Sequence, residues 1–579
     1  MSKRNYIFKA LLLVAVPFAG LAFSACSDEW DDHYNPDESQ ISGESLWQAI
    51  EGNPELSNFA NVVKATGYDK ALGGSQSFSV FAPVNDDFTA EQAQKLIDTY
   101  QKEKSAGTRN NDNSTIKEFI QNHIALYNHS VSTESTDSLT MMNGKYQVLS
   151  SNSFAGHNLL SKNQAYANGI LYTIDGEASY LPNVFEYLNK DAELDSVAKF
   201  LYSYNKYEFD ASKSVAGGIV DGKTVYLDSV VELQNDELHR YIGQLDSEDS
   251  AYWMVAPTNE VWNKYVPQYE KYFTYDKTIS KHEADSLTWA NARFALLRGV
   301  AFSRTLNTDA SIRDSAMSTL AVGYDARYFY YGSYKAHYYQ YNKPFEAGGV
   351  FNGTTNVTCS NGQVMKANHW NIKPTETFLQ TQYLQGEDGD RIDSVDKATT
   401  NYPLTIRRVL SSNPYWIYVK DSKYAEITPT GSQNVKAYFS LPNLLSNVGY
   451  DIYVVTVPAL AGDTLASDFE RRPTKFRVYL RHQKEDGTMS DVESNWTLLD
   501  GKDNNSSLSQ AVWTTTADKV NVFKIADNIT VPYTTYGTGK APKVELVFQT
   551  TPLNSEVNRR KTFNRILRID EIIVVPHEN

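Results

Sequence analysis

Nine aromatic side chains crowd one short stretch: Tyr324, Tyr328, Phe329, Tyr330, Tyr331, Tyr334, Tyr338, Tyr339 and Tyr341. Flat rings with a polar tip form platforms for sugars or peptides, so Tyr328, Tyr330, Tyr334 and Tyr338 are candidate binding residues. The same spacing also fits a plainer arrangement, two strands whose tyrosines pack across a sheet, because β propensity alone selects tyrosine. Towards the C-terminus Trp416, Trp496 and Trp513 are further platform candidates. Trp416 sits in an alternating apolar run and reads as core. Trp496 follows Glu493-Ser494-Asn495 and reads as a loop residue, the better candidate. The run Glu387-Asp388-Gly389-Asp390 with Asp393 and Asp396 has the oxygens calcium wants around a glycine turn. It lacks a closing Glu, and Ile392 and Val395 break the spacing, so a solvated linker is the favoured reading.

Catalytic signatures are missing from this inventory. There is no His-Glu-x-x-His, Gly-x-Ser-x-Gly, phosphate loop or Cys-x-x-Cys. The 10 histidines form no cluster at metal spacing. Carboxylates can still pair in space, as in glycosidases, but 69 acids make chance pairs common. The expectation is a protein that is not an enzyme and takes no cofactor or metal. A net charge of −15 repels polyanions, which argues against a nucleic-acid partner.

The elements that hold these residues begin with an address. Lys3 and Arg4 precede an apolar run from Ala10 to Phe23, too short and wrongly flanked for a mature membrane span. It ends in Leu21-Ala22-Phe23-Ser24-Ala25-Cys26. Small residues before a lone Cys resemble a bacterial lipobox, although Phe23 departs from its usual aliphatic. The resemblance implies removal of residues 1–25 and lipidation of Cys26, with each buried CH₂ contributing roughly 0.8 kcal/mol to anchoring. The acidic Ser27-Asp28-Glu29-Trp30-Asp31-Asp32 resembles the export signal of Bacteroidetes lipoproteins, which implies display on the outer membrane facing outwards. Residues 26–43 are then a flexible tether. The only other cysteine is Cys359, so no internal disulfide is expected.

At 579 residues the chain needs more than one core. A doubled motif sets the plan. Phe78–Phe88 runs as an apolar strand into Ala82-Pro83, then Asn85 and Asp86, then an aromatic. Tyr252–Trp262 repeats this with Ala256-Pro257-Thr258-Asn259. Pro83 and Pro257 end strands, since proline donates no ladder bond. Asn85 and Asp86 are placed to cap the helix that follows. Upstream, Leu46, Trp47, Ile50, Leu56, Phe59, Val62 and Val63 recur at helical spacing, and Val184, Phe185, Leu188, Leu194, Val197, Phe200 and Leu201 match them. Ile116–Ile124 reads as a further amphipathic helix ending at His123, matched by Phe294–Val300 with Gly299 opposite His123. Asn168-Gly169 and Asn361-Gly362 each open a closing strand. The offset between copies grows from about 138 to about 174, which places an insertion within Ser212–Asp249, with Val220–Tyr226 reading as an added hairpin.

These residues resemble the fasciclin domain, a small α+β module whose hallmarks are the strand-to-turn motif, a histidine after the central helix and a closing Asn-Gly strand. Val84 stands at the place of the motif's threonine. The resemblance spans residues 44–379 and implies two modules, 44–181 and 182–379, with extracellular adhesion or ligand binding and no catalysis. The second has lost the histidine but gained the insertion and the tyrosines, so a special binding role is expected there.

From residue 380 a polar linker leads into alternating strands, among them Tyr415–Val419, Val435–Phe439, Tyr450–Val457, Lys475–Leu480, Val544–Phe548 and Ile566–Val575. Many strands and almost no helix predict a β-sandwich over 380–579. Its ending Arg568–Pro576 resembles the last strand of galactose-binding-like jelly rolls. Asp-Ser and Asp-Thr pairs resemble Bacteroidetes O-glycosylation sites, with Ser394 and Thr464 the two in expected loops. The sequence therefore predicts a multidomain, lipid-anchored outer-membrane protein that binds an extracellular glycan or protein. An accessory lipoprotein of a TonB-dependent importer, working with its barrel and lid lipoprotein, is one alternative. A cryptic glycan hydrolase is the other.

Overall fold

The computed structural model describes residues 42–132, 136–209, 214–220, 223–228, 231–305, 307–320, 338–387, 404–429, 431–441, 444–490, 512–541 and 543–577. They form two compact units, Met1–Tyr180 with Tyr207–Glu232, and Leu181–Lys206 with Leu233–Asn579.

In the first unit, helix α1 (Leu46–Gly52) starts at Ser45, whose side chain and Gln48 satisfy each other's end of the helix in a capping box. Helix α2 (Ser57–Thr66) ends at Gly67 in the left-handed conformation that glycine adopts without strain. Phe59, Val62 and Val63 face one core with Leu46 and Ile50, as their spacing predicts. Strand β1 (Phe78–Pro83) lies next to one edge of a seven-stranded sheet with β2 (Ile124–Leu126), β3 (Thr136–Thr140), β4 (Tyr146–Ser150), β5 (Ser153–Phe154), β6 (His157–Tyr166) and β7 (Gly169–Ile174). The order is β2-β1-β7-β6-β5-β4-β3, and β1 runs parallel to β7. Every residue of β1 is buried, because the sheet has a core on each side. Phe78, Val80 and Ala82 face the helices. Phe81 faces the other core, stacked on Phe154 at 3.7 Å and on Tyr172 at 4.9 Å between ring centres.

Two details differ from expectation. The segment ending at His123 is a single π-helical turn, Thr115–Ile120, rather than an amphipathic α-helix over Ile116–Ile124. Helix α3 (Ala90–Ser105) is capped by Thr89 in a capping box with Gln92, not by Asn85 or Asp86.

The second unit repeats the first pattern before departing from it. Helices α4 (Val184–Lys190) and α5 (Asp195–Tyr202) precede strand β8 (Tyr252–Pro257), which pairs with β9 (Ala301–Ser303) and runs parallel to β11 (Gly362–Ala367), itself paired with β10 (Thr355–Cys359). The order β9-β8-β11-β10 matches β2-β1-β7-β6. The register matches too: Phe78 sits opposite Gly169 and Pro83 opposite Ile174, while Tyr252 sits opposite Gly362 and Pro257 opposite Ala367. Helices α6 (Asn259–Glu270) and α7 (Lys281–Leu296) fill the stretch between β8 and β9. The stretch Tyr207–Glu232, which belongs to the first unit, contains two antiparallel strands, Val215–Val220 and Lys223–Asp228, where the sequence leads one to expect an insertion in the second repeat.

From Gln382 onwards the described strands of this unit form two antiparallel sheets. One joins β12 (Gln382–Gln385), β13 (Leu404–Arg408), β14 (Lys423–Ile427), β16 (Tyr450–Thr456), β19 (Asn521–Ile529) and β21 (Leu567–Pro576). The other joins β15 (Lys436–Ser440), β17 (Lys475–His482), β18 (Trp513–Thr514) and β20 (Val544–Thr550). Ile427, Ile452, Val454 and Ile569 of the first meet Phe439, Phe476, Leu480 and Phe548 of the second in one apolar cluster. That cluster continues into the α6–α7 connector and the repeat core, so repeat and sandwich share their interior. Tyr415–Val419, expected as a strand, instead forms an exposed one-turn helix at Trp416–Tyr418.

Candidate functional site

The residues of the doubled motif prove to be braces. Asn85 donates to the Pro54 carbonyl at 2.8 Å and accepts from the Asn58 N–H at 3.1 Å, which ties the turn after β1 to the start of α2. Asn259 does the same with the Ala192 carbonyl and the Ser196 N–H, both at 2.8 Å. Both side chains therefore hold a helix that precedes them in sequence, not one that follows. Asn168 is buried, accepts from the Leu46 N–H at 2.7 Å and donates to the Leu72 and Gly74 carbonyls at 2.8 and 2.9 Å. Asn361 accepts from the Val184 N–H at 2.8 Å and donates to the Leu245 and Ser247 carbonyls at 2.9 and 2.7 Å. A Cβ on Gly169 or Gly362 would strike the carbonyl oxygen of Phe78 or Tyr252, across the parallel pair.

His123 is fully buried against Phe59 and Phe119. Its Nε2 accepts from the Ala178 N–H at 2.9 Å, so Nδ1 carries the proton and donates to the Phe119 carbonyl at 2.7 Å. Burial pulls its pKa down to about 4, outweighing the Phe119 hydrogen bond. A neutral, doubly bonded ring this deep braces the fold and is shielded from ligands. Strand pairing corrects its counterpart. The Phe81 N–H donates to the His123 carbonyl and the Val255 N–H to the Val300 carbonyl, both at 2.9 Å, so buried Val300 rather than Gly299 fills the place of His123. Gly299 has its own constraint, a φ of +79° with the Tyr341 hydroxyl donating to its carbonyl at 3.1 Å.

A different constellation has the exposure that a ligand needs. Trp416, Ile417 and Tyr418 are 43%, 71% and 61% exposed on the turn between β13 and β14. The turn is fixed from below. Buried Asn413 donates to the Leu460 and Ala461 carbonyls at 2.8 and 3.0 Å and accepts from the Tyr415 N–H at 2.9 Å. Tyr415 donates its hydroxyl to the Asp518 carbonyl at 2.7 Å. Asp421 and Ser422 follow with φ of +51° and +58°, a left-handed pair that costs backbone energy and sits beside this ledge. The three side chains edge an open concavity of about 680 Å³ whose floor includes Val455, Val522, Asp570 and Glu571.

The two acids reach one side through a bulge. Val455 pairs with Glu571 and Thr456 with Ile569, so Asp570 is an extra residue in β21, and such bulges re-aim side chains. The Lys420 N–H donates to both carboxylate oxygens of Asp570, at 3.2 and 3.3 Å. Burial pushes Asp570 up to about 7. Burial also raises Glu571, against the pull of Lys420. Glu571 is 8% exposed, and its Oε1 has no hydrogen-bond partner among the described residues. A buried acceptor left open on the floor of a concavity is costly unless something donates to it.

The family model described as Fasciclin domain matches residues 54–176. This stretch is a fasciclin domain. No curated protein matches the chain. Among solved structures, the chain is similar to a FAS1 domain pair from the insect cell adhesion molecule Fasciclin I, at 12% identity over 56% of this chain and 99% of that one, with a TM-score of 0.19. It is also similar to the CBM22-1 xylan-binding domain of Paenibacillus barcinonensis Xyn10C, at 11% identity over 34% of this chain and 94% of that one, with a TM-score of 0.19. A third likeness is to the K3 cleaved adhesin domain of Lys-gingipain from Porphyromonas gingivalis, at 12% identity over 34% and 98%, with a TM-score of 0.17.

Within the fasciclin domain, Pro83, Asn85, His123, Asn168 and Gly169 are thus brought together as framework. Of the tyrosine candidates, Tyr338 is 64% exposed, its neighbours Tyr339 and Tyr341 are buried in the core, and Tyr328, Tyr330 and Tyr334 lie outside the described residues. Trp496, Ser394, Cys26 and the acids Asp388–Asp396 also lie outside them. Thr464 is exposed in a turn between two short helices. Trp416, expected in the core, is corrected to the surface. The alternation of Tyr415–Val419 fits a strand, but Asn413-Pro414 immediately before it is a turn signal that overrides the pattern. Among the described residues no group of three or more His, Cys, Asp or Glu is placed to hold a metal, and no helix is long and apolar enough to cross a membrane.

Proposed function

We propose that the chain is a non-catalytic adhesion or ligand-binding protein, anchored by lipid at Cys26 and displayed on the outer face of the outer membrane. Its plan is two fasciclin-like modules followed by a galactose-binding-like sandwich. The matched registers of β1–β7 and β8–β11, each with its Asn brace, support the second module. The observation that carries the binding reading is the ledge of Trp416, Ile417 and Tyr418, three exposed apolar side chains on a turn held rigid by Asn413. Scattered apolar residues are normal on surfaces; three together on a braced turn are the pattern of a contact surface.

Labelling cells with a palmitate analogue tests the anchor, and Cys26→Ser is expected to abolish the label. Protease added to whole cells tests display, and protection of the chain there would overturn the surface reading. A native pull-down tests the association state. A free adhesin comes down without a barrel, whereas recovery with an importer barrel and a lid lipoprotein would replace this reading with the accessory one. Release of reducing ends from any glycan that the chain binds would replace it with the hydrolase reading.

A further inference from the structure

The concavity beneath the Trp416 ledge carries three properties at once. Its rim is aromatic and aliphatic, with Trp416 and Tyr418 exposed. Its floor offers strong acceptors, Asp570 and Glu571, and the Glu571 Oε1 is buried without a donor. Its edge offers a donor, the exposed ammonium of Lys420. A ligand that fits must present a flat apolar face, hydroxyl or amine donors for the carboxylates, and an acceptor for Lys420.

Resting on the binding reading above, we propose that this site binds a neutral glycan. One sugar ring lies on Trp416 with its C–H face, and the next reaches Tyr418. A ring hydroxyl donates to the Glu571 Oε1, and another accepts from Lys420. Sugars supply donors and acceptors on one ring with an apolar face between them, which is the combination the site demands. A cationic peptide meets Asp421, Asp570 and Glu571 but brings no flat apolar face to Trp416, and an acidic ligand meets the same acids with like charge. An open concavity of about 680 Å³ suits two or three rings of an extended chain better than a single small ion. The site is also preformed, since Asn413, Tyr415 and the Lys420–Asp570 contact fix the turn before any ligand arrives.

The test is calorimetric titration of the full chain with neutral hexasaccharides of glucose, mannose, xylose and galactose, and with hexalysine as the cationic control. At least one hexasaccharide is expected to bind and hexalysine is not. Trp416→Ala is expected to weaken that binding tenfold or more with an unchanged melting temperature, since the ring is exposed. Glu571→Gln keeps the shape of the side chain and is expected to weaken binding several-fold without loss of stability. Binding by hexalysine alone, binding by no hexasaccharide, or equal sugar binding by the Trp416→Ala chain would each overturn the proposal. The last two leave the surface-binding reading standing. Cleavage of a bound hexasaccharide would overturn that reading while the site survives.

Discussion

Replacing His123 with valine, the residue its counterpart Val300 uses, should uncouple the stability of the fasciclin domain from mild acid. The folded pKa of His123 is about 4 against an ordinary value of 6.5. Because the folded value lies below the unfolded one, folding favours the neutral ring. That contribution is complete above pH 6.5 and is lost as the pH falls from 6.5 towards 4. At roughly 1.4 kcal/mol per unit, the full window is worth about 3 kcal/mol, of which about 2 kcal/mol is lost by pH 5. His123→Val removes both hydrogen bonds of the ring and leaves the Ala178 N–H unpaired, while the Phe119 carbonyl keeps the Asn122 N–H at 3.2 Å. Its cost at pH 7 should be roughly 2–4 kcal/mol, larger if the lost ring volume leaves a cavity. Neither part depends on pH. The difference between wild type and variant should therefore shrink by about 2 kcal/mol between pH 7 and pH 5. Hydrogen exchange of the full chain reads this locally, in peptides spanning 78–83 and 119–126, once corrected for intrinsic exchange rates. A constant difference across that range would refute the assignment of His123 as a buried neutral brace.

Three further outcomes are expected. Asn168→Ala should lower the urea midpoint of the fasciclin domain by an amount equivalent to roughly 2–4 kcal/mol, because three hydrogen bonds lose their partner in a buried place, and Asn361→Ala should do the same in the second unit. Asp570→Asn should stabilise the second unit at pH 8 and leave it unchanged at pH 3: the folded pKa is raised to about 7, so the ionised acid destabilises the fold increasingly as pH rises from 4 to 7, and thermal melts at the two pH values read the change. Thr464, exposed after Asp463, should carry extra mass in peptides from native material, and Thr464→Ala should remove it.

The repeat was legible in the sequence because its markers are local. Ala-Pro ends a strand wherever it occurs, and Asn-Gly before an apolar run opens one, so two copies of each in order located β1, β7, β8 and β11. The roles of Asn85 and Asn259 were not legible, because their partners lie 27 and 63 residues upstream and no spacing rule links them. His123 was found, but its counterpart was placed one residue early; only the pairing of β9 with β8 resolves Val300 from Gly299. The ledge was missed for a related reason. Asp570 and Glu571 read as part of the final alternating strand, and only the bulge against β16 brings both to one side. The Asn413-Pro414 dipeptide was the available signal for Trp416, and a period-2 pattern masked it.

The two repeats share a frame but spend their differences in opposite directions. The fasciclin domain keeps a buried histidine and a second core beneath its sheet, filled by its own strands β3 to β6. The second repeat has valine in that place, and the connector between α6 and α7 leaves the repeat to meet the sandwich. Ser446 accepts from the Thr274 N–H at 2.9 Å, the Thr534 N–H donates to the Thr274 carbonyl at 2.9 Å, and the Tyr275 hydroxyl donates to the Tyr536 carbonyl at 2.9 Å. Lys277 adds a backbone bond to the Glu485 carbonyl at 2.8 Å. An interface with one apolar cluster and these four hydrogen bonds is a permanent one. The second repeat therefore acts as a mount for the sandwich. Its tyrosines Tyr339 and Tyr341 pack inward, as that role requires. A binding ledge on a turn gains most from a rigid base, because each side chain ordered before the ligand arrives is entropy that binding need not supply. Under the binding reading proposed above, the sandwich carries the ledge and the second repeat supplies its base.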